Sequence, residues 1–168
     1  MNETAKVRTL LSEMEGSRAV LARIIAFYDR YLGQTQGAET RTTEQAIVLS
    51  DLLVSYYTCL ETMFLRISQF FENDLNAEKW HQDLLHKMRL SIEGIRDPVI
   101  SSETAALLSE LLRFRHFKRY YFEFDYDWDR IDFLCKKFDQ LRTGVEADLT
   151  RFVEFLRRLA DQPDTPLS

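Results

Sequence analysis

Apolar residues recur along most of this chain at three- and four-residue steps. Val7, Leu10, Leu11, Met14, Leu21, Ile24, Ile25, Tyr28 and Leu32 form one such stripe, which predicts an amphipathic helix from about Asn2 to Leu32. Gly16 interrupts the stripe and is expected to mark a bend. Gly33 to Thr42 holds two glycines and no periodic apolar residue, so it predicts a loop. A second helix is expected from near Thr43 to about Phe71. Its apolar set (Ile47, Val48, Leu52, Tyr56, Cys59, Leu60, Met63, Phe64, Ile67, Phe70) covers more than one side, which predicts the central helix of a bundle. Thr42 or Thr43 is the expected cap, with Glu44 in the first turn. A third helix is predicted over about Asn76 to Ile92 from Trp80, Leu84, Leu85, Met88 and Ile92, and the stretch GIRDPVISS, with Gly94 and Pro98, breaks it. A fourth helix begins at Ser101 or Ser102 and continues through RFRHFKRYY. A fifth runs from near Asp127 to about Ala160 through Ile131, Leu134, Cys135, Phe138, Leu141, Val145, Leu149, Phe152, Phe155 and Leu156, with a kink expected at Gly144. Asp127 and Asp129 sit where the helix dipole is positive. The segment FEFDYDWD alternates aromatic and acidic residues as a half-buried strand would. A lone strand has no partner in such a chain, so it is read as a helix end, a turn and an acidic cap.

The fold class that follows is all-α, a helical bundle of about five helices. One domain is expected over residues 1–162, followed by a flexible tail at 163–168 that carries two prolines and no apolar face. Five glycines and three prolines in 168 residues are too few for the turns of an all-β protein. Apolar residues at 45% exclude a disordered chain. The net charge of −5, from 22 basic and 27 acidic side chains, is not that of a broadly basic nucleic-acid binder, so any RNA contact must rest on a local patch. Cys59 and Cys135 lie in apolar helical stretches and are expected to pack as free thiols in a cytoplasmic protein. No Cys/His quartet is present, so neither a metal nor a cofactor is expected. The N-terminus lacks a signal design, and no apolar run approaches the roughly 18–20 residues that span a bilayer, so no membrane association is expected.

One segment changes the picture. Leu111 to Phe124 packs Arg113, Arg115, His116, Lys118 and Arg119 into seven residues of an acidic chain. With Arg115 at zero on a helical wheel of about 100° per residue, Arg119 lies near 40°, His116 near 100° and Tyr120 near 140°. Leu108 and Leu112 fall near 20° and 60°, inside the same arc. The polar cluster therefore continues an apolar stripe, and charges in that position need a partner: acidic side chains, a ligand phosphate or a second subunit. Arginine grips phosphate oxygens in a fork and stays charged. Histidine moves protons near neutral pH. Together they suit attack of an RNA 2′-hydroxyl on its own phosphate without a metal.

FRHFKRYYFEFDYDWDR (Phe114 to Arg130), WHQDLLHKM (Trp80 to Met88) and SETAALLSELLRFRH (Ser102 to His116) resemble the HepT-like branch of the HEPN superfamily. The resemblance implies an all-α HEPN-like fold, a ribonuclease toxin acting as a homodimer with two motif helices across one cleft, and a minimal nucleotidyltransferase antitoxin as partner. The family motif is Arg, a polar residue, then His after four to six intervening residues, commonly followed by Tyr two places on. Carried over by position, Arg115 and His116 match the first Arg and its polar neighbour, and Arg119 matches the second Arg. The motif His falls on Tyr120 and the motif Tyr on Phe122. Tyr has an ordinary pKa of about 10 and is a poor base at neutral pH. Three readings follow for the site Arg115, His116, Arg119 and Tyr120: His116 carries the proton, Tyr120 acts as donor only, or the site is catalytically degraded. The first function is then an endoribonuclease toxin with an atypical motif. The alternative is a degraded HEPN module that binds RNA, a nucleotide or a nucleotidyltransferase.

Other polar residues carry weaker signals. His81 and His86 lie about 140° apart on their helix, which is poor for a shared metal. Glu61, inside the apolar second helix, is expected to pair with an Arg of the fourth. Asp125, Asp127 and Asp129 are expected to cap a helix rather than hold a metal.

Overall fold

The computed structural model describes residues 3–35, 41–72, 80–120 and 127–161. They form five helices: α1 (Glu3–Thr35), α2 (Thr43–Phe71), α3 (Trp80–Arg89), α4 (Ser102–Tyr120) and α5 (Trp128–Ala160). The all-α bundle that the periodicity predicts is present. Among the described residues no strand forms; an isolated bridge joins Ile92 and Arg96. Residues 121–126, the core of the alternating aromatic-acidic segment, and the tail from 162 onward lie outside the described residues.

α2 packs against each of the other four helices, which is why it is apolar on more than one side. Leu49, Leu53, Tyr56, Tyr57, Leu60, Met63, Phe64 and Ile67 on α2 are all 1% exposed or less. Burial of each such large side chain is worth about 1.5–3 kcal/mol. The same character makes α2 long and apolar enough, by composition, to cross a membrane: an 18-residue window has mean hydropathy 1.3. That corrects the expectation that no run reaches spanning length; half of the window is buried within the bundle. α5 lies against α1, α2 and α4. Phe138 of α5 forms edge contacts with Tyr28 of α1 at 4.7 Å and Tyr56 of α2 at 4.8 Å between ring centroids. Such pairs add to area burial. Ion pairs line the outer α1–α5 seam: Arg142 with Asp29 at 2.6 Å, Arg157 with Glu15 at 3.3 Å, and Arg18 with Glu146.

The helix starts follow their sequence signals. Thr42 and Gln45 make a reciprocal capping box at α2. Asp127 caps α5 by accepting from the Asp129 amide at 2.9 Å. The Ser101 hydroxyl accepts from the Thr104 amide at 3.1 Å at the start of α4. Neither glycine ends its helix. α1 runs through Gly16 and α5 through Gly144 as continuous helices. Gly144 instead serves a close approach: a Cβ there would stand 2.9 Å from Thr104 Oγ1, so its absence lets the start of α4 settle on α5.

α3 ends at Arg89, three residues before the predicted Ile92, and the reason is Arg96. Its guanidinium is fully buried and donates to the carbonyls of Lys87 at 2.8 Å and Leu90 at 2.9 Å. The amides of Val99 and Ile100 donate to the Met88 carbonyl at 2.8 and 3.2 Å. The last carbonyls of α3 are thus satisfied from the following loop, and the helix stops. Gly94, at φ 73°, makes the left-handed turn that brings Arg96 back.

Candidate active site on the fourth helix

α4 buries Leu108, Leu111, Leu112 and Phe114 at 3% exposure or less, so its polar cluster rides on a helix anchored in the core. Arg115 follows that apolar arc. Its Nη1 stands 3.1 Å from Glu61 Oε2 and 3.3 Å from Oε1, and its guanidinium carbon lies 5.8 Å from the Tyr57 ring centroid. The expected pair between Glu61 and the fourth helix is therefore present. The Arg115 side chain is 20% exposed and that of Glu61 6%. Three residues on, Lys118 pairs with Asp51 of α2 at 2.9 Å. From the other side, Arg130 of α5 lies 4.4 Å from the Phe117 ring centroid.

His116 is half-buried and lines a different wall. It belongs to a cavity of about 360 Å³ between α3 and α4. A step of about 100° along the helix separates it from Arg115. The structure thus divides the predicted site: Arg115 faces α2, and His116 faces α3. Arg119 sits one turn beyond Arg115 and is exposed, which corrects the expectation that it continues the buried arc; it lies in the last turn of α4. Tyr120 closes α4, and its side chain lies outside the described residues.

Tyr57 is a neighbour that the apolar set read from the sequence leaves out. It is 1% exposed. Burial pushes its phenol well above the ordinary tyrosine range, the Glu61 charge raises it further, and Arg115 opposes that. Tyr57 therefore stays protonated near neutral pH and is no base. The thiols of Cys59 and Cys135 are free, as expected, and burial raises both. Among the described residues, no three His, Cys, Asp or Glu side chains cluster to hold a metal. The chemistry present is a guanidinium held by a carboxylate, an imidazole at an open cavity, and a second guanidinium at an exposed position in the last turn of α4.

No curated protein and no solved structure matches the chain. A family model described as HepT-like protein matches residues 48–156, well over half of the chain and the whole of α3 and α4. The chain belongs to the HepT-like protein family, within the HEPN-type toxin superfamily, and its five helices are a HEPN-like bundle.

Proposed function

We propose that this chain is the toxin component of a toxin–antitoxin pair, a metal-independent endoribonuclease that works as a cytoplasmic homodimer and is held in check by a minimal nucleotidyltransferase. Arg115 and Arg119 grip the scissile phosphate. His116 takes the proton from the 2′-hydroxyl, whose oxygen attacks the adjacent phosphorus. The bond to the 5′-oxygen breaks, leaving a 2′,3′-cyclic phosphate and a 5′-hydroxyl. Tyr120 supplies the proton to that leaving oxygen. The observation that supports this reading is a guanidinium and an imidazole at successive positions of one anchored helix, on neighbouring faces, the imidazole at an open cavity and the guanidinium bound, among the described residues, through Nη1.

The second reading is a binding module whose catalytic residue has been replaced. Tyr120, where the family motif carries His, favours it. One experiment separates the two: cleavage of mixed cellular RNA in EDTA by the wild type, Arg115→Ala and Tyr120→His. Cleavage by the wild type that is lost in Arg115→Ala supports the nuclease. Cleavage by Tyr120→His alone supports the replaced site. Silence from all three would leave the resemblance to the fold alone. Light scattering tests the dimer, and a monomer would count against a shared cleft.

A further inference from the structure

The cavity that His116 lines is a groove along one stripe of α4, and its other wall is α3. Ser102, Ser109, Arg113 and His116 come from α4, and His86 and Arg89 come from α3. The α4 members recur at three-, four- and seven-residue steps, which sets them on one side of the helix over about 21 Å. Leu85 and Leu112 form an apolar floor, buried to 5% and 3% exposure. The rim therefore carries two guanidiniums and two imidazoles in a protein of net charge −5. Among the described residues that line it, none is acidic. Arg113 meets Glu110 at 3.3 Å, but that carboxylate lies outside the lining. His86 and Arg89 are exposed and form no ion pair among the described residues. Arg89 and Arg113 thus put two guanidinium charges on one rim, with Glu110 beside Arg113 the one carboxylate paired to either among the described residues, and a bound anion would be drawn between them.

We propose that this groove binds single-stranded RNA next to the scissile phosphate: Arg89, Arg113 and His86 take phosphate oxygens, and the apolar floor takes a base. The volume of about 360 Å³ falls within the roughly 300–1,000 Å³ of small-ligand sites. An apolar floor under a cationic rim is the combination that a nucleotide presents in reverse, a flat base beside an anionic backbone. The identity of the ligand rests on the RNA-cleaving reading; the groove itself does not. His116, shared by groove and site, places the bound strand at the reacting bond.

The test uses a fluorescein-labelled 2′-O-methyl oligoribonucleotide, which has no free 2′-hydroxyl and cannot be cleaved by the proposed route. Its binding is followed by anisotropy across a salt series, for the wild type, His86→Ala, Arg89→Ala, Arg113→Ala and the remote control Arg8→Ala. His86, Arg89 and Arg113 are exposed, so their loss leaves the core intact. Arg89→Ala and Arg113→Ala are each expected to weaken binding by roughly tenfold. Each should also flatten the log–log salt slope by about 0.7. His86→Ala should weaken it less, and Arg8→Ala should bind as the wild type does. A wild type that does not bind, or groove variants that bind as Arg8→Ala does, would overturn the proposal. Cleavage of unmodified RNA is measured beside it. Cleavage with an unaltered groove-variant affinity sinks the groove and spares the nuclease; groove-dependent binding without cleavage does the reverse.

Discussion

Arg96 and Arg115 both reach a glutamate at the face of α2, and the two pairs differ in how many donors they use. Arg96 meets Glu72, the C-cap of α2, through Nε at 2.8 Å and through Nη2. Its Nη2 also donates to the Lys87 carbonyl, and its Nη1 donates to those of Leu90 and Asp97. Arg115 meets Glu61 through Nη1, and its other nitrogens make no hydrogen bond to the described residues. Each guanidinium has five N–H donors in a fixed fork. At Arg96 the protein fills that fork; at Arg115 it leaves most of it open. Both side chains are charged, Arg96 fully buried and Arg115 20% exposed, so charge does not tell them apart. The open fork does: a saturated arginine holds structure, and an unsaturated one is available to a phosphate.

Removing each partner tests that difference. Arg96→Ala leaves the half-buried Glu72 carboxylate with Lys87 at 3.7 Å and strips three carbonyls of their donor, so the expected loss is about 3 kcal/mol. In a domain of this size that lowers Tm by roughly 10 °C. Adding Glu72→Gln should recover little, because the carbonyls of Lys87 and Leu90 stay unsatisfied. A thermal or urea series showing less than about 1 kcal/mol of loss would make Arg96 dispensable. Arg115→Ala should cost stability less, about 1–2 kcal/mol, and cleavage more, about 100-fold. Here Glu61→Gln in the same chain should restore most of the stability and none of the cleavage. The two double-mutant cycles thus have opposite outcomes; equal recovery at both sites would erase the distinction. Thr42→Ala gives the scale for an uncharged anchor on α2. Loss of its capping box should cost about 1 kcal/mol by urea unfolding and leave RNA cleavage unchanged.

The smallest effect concerns the ring beneath Arg115. Tyr57, like Tyr28 and Tyr56, is held protonated by burial, with its folded pKa above the unfolded value. The unfolded phenol ionises from about pH 10 and the folded one later. The stabilisation is therefore complete below about pH 10 and falls as pH rises beyond it. Tyr57→Phe should leave stability near pH 7 almost unchanged and reduce the alkaline loss. A wild-type stability that stays flat to pH 11 would contradict this.

The helices and their caps could be read from the chain because periodicity and capping are local. Thr42, Ser101 and Asp127 each act within three residues of themselves. Glu61 could be paired with the fourth helix because a carboxylate in an apolar stripe has few places to go. Arg96 could not be foreseen. It lies in a stretch that reads as a helix breaker, and its function comes from carbonyls six and nine residues back. The groove was hidden for a related reason. Periodicity tells which side of α4 His116 occupies, but not that α3 brings His86 and Arg89 opposite it. His86, weighed for a metal beside His81, is exposed, and the groove residues opposite it lie some thirty residues away on another helix.

The Arg96–Glu72 clamp also has a meaning in time. It closes a stretch of 24 residues, whereas the α1–α5 seam joins residues 128 apart at Arg18–Glu146 and 142 apart at Glu15–Arg157. Closing a loop of that greater length costs about 1.5 kcal/mol more in chain entropy. The clamp is therefore the contact a folding chain can make early, while the seam must wait until both ends of the chain come together. Arg18→Ala should speed unfolding in stopped-flow and leave the folding rate unchanged, so that the bundle opens along the α1–α5 seam while the groove between α3 and α4 is still closed.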